Sequence, residues 1–150
     1  MGAKAIEAAL ARHKRIGLDS MTLIYLLEDA APHASTMELV FQRIEKGRCT
    51  AYVSVLGLTE LLVRPMELAD YETVEKYRHF LLNFPNLQIL DLDIPTAEIA
   101  ASLRAKYSFR TPDAIHLATA LQHGASAFLT NDKQLTRLKE LDVLLLDSLT

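Results

Sequence analysis

Arg15-Ile16-Gly17-Leu18-Asp19-Ser20-Met21-Thr22-Leu23-Ile24-Tyr25-Leu26-Leu27-Glu28 reads as a short buried strand that stops on an acid and turns at once into a helix. Arg15 to Asp19 is the strand, and Ser20 is the expected N-cap of a helix from Met21 to Glu28. A strand running straight into a helix is the first part of a crossover unit. An acid at the carboxyl end of a buried strand points into the crevice where α/β sheets place their ligands.

The same alternation continues on both sides of this stretch. Ala3 to His13 has helical spacing, with Ile6 and Leu10 on one side. After the loop Ala31-Pro32-His33, Ser35 to Lys46 is amphipathic through Met37, Val40, Phe41 and Ile44, with Gly47 as its C-cap. Thr50 to Val55 is rich in strand formers. Thr59 to Val63 is a short helix that Pro65 should stop, and Ala69 to Asn83 is a longer one. Leu87 to Asp91 is a strand, followed by a helix from Pro95 to Tyr107 with proline in its first turn. Thr111 should cap a helix from Pro112 to Gln122, ended near Gly124. A strand at Ala125 to Leu129, a short helix at Lys133 to Lys139 and a strand at Val143 to Leu146 complete the chain. Strands alternating with helices imply right-handed crossovers. The expected fold class is therefore α/β: a single domain with a mainly parallel central sheet of about five strands, flanked by helices on both faces.

Three more acids stand in positions like that of Asp19. Glu60 follows the Tyr52-Val53-Ser54-Val55 strand by a helical turn, Asp113 lies in the first turn after Thr111-Pro112, and Asp132 follows Phe128-Leu129-Thr130-Asn131. Each has a structural explanation of its own. Asp19 serves equally as an N-cap, Glu60 and Asp113 as first-turn acids that favour the helix dipole, and Asp132 as an Asx turn. Asp113 precedes the almost wholly apolar Ala114-Ile115-His116-Leu117-Ala118-Thr119-Ala120, so its helix is expected to be buried, and a buried unpaired charge is costly. His116 reads better as a core or supporting histidine than as a metal ligand. The functional case rests on the conjunction. Four acids in one crevice repel one another unless a divalent cation holds them, which points to magnesium or manganese and to phosphate chemistry.

Composition narrows the alternatives. The chain has 150 residues, half of them hydrophobic, which suits one globular core and includes no apolar run long enough for a membrane span. A cytoplasmic location is the default, since the start carries Lys4 and Glu7 in place of a leader's apolar core. The single Cys49 excludes an internal disulfide and a cysteine-based zinc site. A net charge of −3 disfavours a wide basic nucleic-acid groove but not a small site whose positive charge is a metal ion. Asp91-Leu92-Asp93 after its strand superficially looks like the nucleophile motif of haloacid-dehalogenase-type phosphatases. Too little chain follows it for that fold's later lysine and acids, so Asp91 and Asp93 are taken as loop acids.

Taken together, Ile16 to Glu28, Ser54 to Pro65, Arg110 to Ala120 and Phe128 to Asp132 resemble a PIN domain, the nuclease fold of VapC-type toxins. The motifs are short, and their order and spacing carry the match, which spans Arg15 to about Leu146. The helix in residues 1–14 is an addition to the minimal pattern. The resemblance implies a metal-dependent endoribonuclease in which Asp19, Glu60, Asp113 and Asp132 hold one or two Mg2+ or Mn2+ ions and a metal-activated water hydrolyses RNA. Asp19 and Asp113 would be the principal ligands, with Thr130, Asn131 and Arg64 as auxiliaries; Arg64 or Lys133 could contact phosphate, although both read better as exposed, solvated cations. It also implies an antitoxin partner and a homodimer; the apolar positions of Ser35 to Lys46 and Ala69 to Asn83 could supply the interface, and core packing explains them equally well. A DNA-directed or non-toxin RNA-processing nuclease and an inactive binding module are the alternatives.

Overall fold

The computed structural model describes residues 2–149. Five strands, β1 (Arg15–Leu18), β2 (Thr50–Ser54), β3 (Leu87–Leu90), β4 (Ala127–Thr130) and β5 (Asp142–Leu145), form one sheet in the order β3-β2-β1-β4-β5. Every pairing is parallel, so the sheet is wholly and not only mainly parallel. The described residues hold seven α-helices: α1 (Gly2–Leu10) before β1, and α2 (Ser20–Leu27), α3 (His33–Glu45), α4 (Val55–Glu67), α5 (Tyr71–Asn83), α6 (Ile94–Tyr107) and α7 (Thr111–Gln122), which supply in pairs the crossovers from β1 to β2, β2 to β3 and β3 to β4. None of them is long and apolar enough to cross a membrane. The strand order reverses at β1, which leads to β2 on one side and lies against β4 on the other. This is the switch point at which doubly wound sheets open a crevice.

Side-chain alternation divides the core. Ile16, Leu18, Ala51, Val53, Ala127 and Leu129 face one layer, where they meet Leu10, Leu23, Met37, Val40, Ile44 and Leu81 of the helices. The intervening positions Tyr52 and Phe128 face Ala100, Leu103, Leu117 and Ala120 of α6 and α7. Gly17 pairs with both Tyr52 and Phe128 and belongs to that second face. A Cβ on Gly17 would stand 2.5 Å from the Ala120 Cβ and 2.7 Å from Phe128 Cδ1. The missing side chain therefore lets α7 lie directly on β1, and α7 carries Asp113 and His116.

Helix boundaries depart from the sequence expectation where capping decides them. Asp19, not Ser20, occupies the N-cap position of α2, and its side chain makes no capping hydrogen bond. Arg110 occupies that of α7, leaving Thr111 and Pro112 as the first helical residues. Helix α4 starts at Val55, directly after β2, because the Ser54 hydroxyl accepts from Leu56 N at 3.1 Å. Pro65 does not stop α4. It sits buried in the last turn, where the loss of one intrahelical donor is tolerated, and the chain leaves the helix at Ala69 in the left-handed region with φ 53°. The expected helix after Asp132 is a 3-10 turn over Lys133–Arg137.

Helix α1 packs as part of the fold, with Ile6 and Leu10 buried and Glu7 accepting from Arg43 Nη1 of α3 at 2.7 Å. The apolar face of α3 (Met37, Val40, Phe41, Ile44) is spent on the core. Of the two faces considered for a dimer, only α5 keeps large apolar side chains exposed, at Tyr71 and Leu82.

Candidate active site

All four acids line one cavity of about 360 Å³. Asp19 follows β1 and Asp132 follows β4, so the cavity opens at the carboxyl edge of the sheet on its switch point. Glu60 reaches it from α4 and Asp113 from the first turn of α7. Ser20, Met21, Ile24 and Tyr25 of α2 form one wall.

Asp19 is the most enclosed of the four, with 8% of its surface exposed. Freed from capping, its carboxylate accepts a hydrogen bond from Thr130 Oγ1 at 2.7 Å. Thr130 is fully buried and its Oγ1 also accepts from Asp132 N at 3.0 Å, so one hydroxyl ties the ends of β1 and β4 together. Burial pushes the Asp19 carboxyl above its ordinary pKa; the Asp113 charge adds to this, while Thr130 and His116 oppose it. Such a carboxylate gains from a cation beside it, because the cation offsets the desolvation of the charged form.

Glu60 and Asp113 are each held by a neighbour. His116, only 3% exposed, lies 2.6 Å from Glu60 Oε1 through Nε2, joining α7 to α4. This hydrogen bond holds the Glu60 carboxyl below its ordinary range. His116 Nδ1 is buried with no hydrogen-bond partner. His116 is thus a supporting residue that touches a site acid. Asp113 accepts from Arg110 Nε at 3.2 Å, in a pair whose acid is mostly enclosed and whose arginine is 78% exposed. Asp132 does cap the 3-10 turn, accepting from Gln134 N at 2.9 Å, and still lines the cavity.

The auxiliary residues divide. Thr130 acts behind Asp19, as described. Asn131 lines the cavity but is tied to the C-terminal end of the chain, its Oδ1 accepting from Asp147 N at 3.1 Å. Arg64 does not come to the acids; it lines a separate depression with Asp70, Thr73 and Tyr77. Lys133 is not among the cavity's lining residues either. Asp93 caps α6 through Thr96 N at 2.9 Å, and Asp91 follows the edge strand β3, two strands from Asp19. The residue that sequence reasoning passed over is Arg110, the one lysine or arginine among the described residues lining the cavity. Its signal was the i, i+3 spacing to Asp113, which places the two side chains on one face at a helix start.

The donor set suits a hard divalent cation: four carboxylates and no thiol. Among the described residues, no three His, Cys, Asp or Glu side chains converge closely enough to hold an ion in this arrangement. In this arrangement Arg110 engages Asp113 and His116 engages Glu60. Asp19 and Asp113 would provide the main ligands, and Glu60 and Asp132 the remainder.

Fold and cavity together define a wholly parallel α/β protein with an acidic pocket at the switch point of its sheet. The chain belongs to the PIN domain family, whose model matches residues 16–141. Helix α1 lies outside the matched range. No curated protein matches the sequence. Among solved structures, a chain of the DNA-bound VapBC from Salmonella typhimurium superposes with a TM-score of 0.69 at 19% identity, covering 88% of this chain and 98% of that one. A chain of a toxin–antitoxin complex from Klebsiella pneumoniae gives 0.67 at 23%, covering 87% and 97%. A chain of VapBC2 from Rickettsia felis, bound to a DNA fragment from its promoter, gives 0.66 at 17%, again covering 87% and 97%. At these identities the likeness is one of fold.

Proposed function

We propose that the chain is a divalent-metal-dependent endoribonuclease and the toxin of a toxin–antitoxin pair. The observation that carries this reading is the single cavity lined by Asp19, Glu60, Asp113 and Asp132 at the sheet's switch point. Family membership and the fold shared with chains of toxin–antitoxin complexes support it. The cation, Mg2+ or Mn2+, would supply Lewis acidity and charge neutralisation for in-line hydrolysis of a phosphodiester. The protein's contribution is positional. Thr130 fixes Asp19 and His116 fixes Glu60. Because Asp19 takes up a proton more readily than an ordinary aspartate, loading a cation would release protons and weaken as pH falls. Single-stranded or looped RNA is the expected substrate, since its backbone enters a crevice and its bases splay apart. An antitoxin would occupy the same cavity, and a homodimer and a cytoplasmic location complete the reading.

The test is cleavage of single-stranded RNA and single-stranded DNA by the purified chain, with magnesium and then with EDTA. RNA cut only with the metal, and not by Asp19→Asn of unchanged circular dichroism, is the expected result. Cleavage that survives EDTA, or full activity in Asp19→Asn, would overturn the proposal. Preference for DNA would move the chain to a different nuclease class.

A further inference from the structure

Arg110 stands where helix stability does not want it. The N-cap of α7 favours Ser, Thr, Asn or Asp, and the positive end of the helix dipole disfavours a cation. Arg110 makes no side-chain capping bond there. Its backbone is nevertheless firmly placed: its carbonyl accepts from Ala114 N at 2.9 Å, and Pro112 stiffens the turn that follows. Its side chain is 78% exposed and joined to Asp113 through Nε at 3.2 Å. Other arginines of this half of the molecule are tied to carbonyls, Arg104 to Phe109 O at 2.9 Å and Arg137 to Tyr107 O at 2.8 Å.

The cavity contains four carboxylates and one guanidinium. A phosphodiester brings a further negative charge, so the site needs positive charge that its acids do not absorb permanently. A cation held by the acids meets part of that need. A guanidinium at the rim meets the rest, since it offers paired N–H groups matched to two oxygens of one phosphate. The Asp113 pair does not lock it, because its guanidinium is 78% exposed and makes a single hydrogen bond, and solvent and salt screen it from that side.

We infer that Arg110 is the phosphate-gripping residue of this site, resting on Asp113 when no cation is present and donating to a non-bridging oxygen of the RNA backbone when substrate enters. This rests on the ribonuclease reading above. It assigns to Arg110 the phosphate contact that sequence reasoning weighed for Arg64 or Lys133 against a plain solvated cation.

The test is equilibrium binding of a short fluorescein-labelled single-stranded RNA by fluorescence anisotropy, with magnesium, over a series of salt concentrations. A Glu60→Gln background slows cleavage and keeps Asp19 and Asp113, and a gel checks that the strand is intact. Adding Arg110→Ala should weaken binding about tenfold or more, as expected for the loss of a charge-assisted hydrogen bond. It should also flatten the slope of log K against log salt by about 0.7, the value for one phosphate contact on a single strand. Arg110→Lys should restore the slope but only part of the affinity, and Arg64→Ala should change neither. Unchanged slope and affinity in both Arg110→Ala and Arg110→Gln would overturn the inference while leaving the nuclease reading standing. If the wild type cuts no RNA and the background protein binds none, the nuclease reading fails and the inference falls with it.

Discussion

Replacing Gly17 with alanine should damage stability and the site together. The added Cβ would meet the Ala120 Cβ at 2.5 Å and Phe128 Cδ1 at 2.7 Å, both below any ordinary contact. Neither neighbour is the tip of a flexible chain. Ala120 is fixed to the backbone of α7, and Phe128 is fully buried on β4. Relief therefore requires α7 to lift from β1. Overpacking of a well-packed core usually costs 1–3 kcal/mol, and two rigid contacts place this case near ~3 kcal/mol. For a domain of this size that corresponds to a loss of roughly 6–12 °C in Tm. Because α7 carries Asp113 and His116 while β1 leads into Asp19, the lift also separates acids that the proposed chemistry needs together. Differential scanning fluorimetry and urea unfolding read the first effect, and RNA cleavage below the new Tm reads the second. A Gly17→Ala protein with unchanged Tm would refute the close approach of α7 to β1. A destabilised protein with full activity would refute the dependence of the site on that packing.

Thr130→Val keeps the shape and removes the donor to Asp19, leaving a buried carboxylate under-bonded; a loss of about 1–3 kcal/mol is expected in urea unfolding at neutral pH. His116→Ala frees Glu60 and should lower cleavage or metal affinity by about 10–100-fold, with far-UV circular dichroism unchanged. Asp19 has its folded pKa above the ordinary 3.8, so through that window the folded chain holds a proton that the unfolded chain has lost. Its contribution to stability therefore falls as pH rises through the window. Asp19→Asn should abolish that fall in the metal-free protein, measured as Tm against pH, and leave the neutral-pH Tm equal to or above that of the wild type.

The alternation of apolar runs with amphipathic segments gave the parallel sheet, because a strand buried on both faces and a helix buried on one leave different periodicities. What the pattern did not carry was where helices begin. Ser54 starts α4 well before the acid-bearing turn, and Pro65 is absorbed into its last turn, because capping and burial outweigh a local rule. The four acids were legible from their placement after strands. Their partners were not, since the His116–Glu60 contact joins residues far apart in sequence and depends on the packing of α4 against α7. Arg64 and Arg110 differ in the same way: both precede or follow an acid on a helix, and only the path of the chain brings Arg110 to the cavity. Asp19 shows the opposite case. Its place before a helix allowed a capping role as readily as a site role, and the side chain makes no capping bond and is turned instead to Thr130.

The central claim is that these carboxylates hold a divalent cation. The most direct measurement is a crystal of the wild-type chain soaked in manganese, with anomalous difference density calculated at the manganese edge. The account predicts a peak between Asp19 and Asp113, with the Asp113 carboxylate moved off Arg110 and no peak in Asp19→Asn crystals soaked alike. A soaked wild-type crystal with no anomalous density in this cavity, and with Asp113 still paired to Arg110, would contradict it.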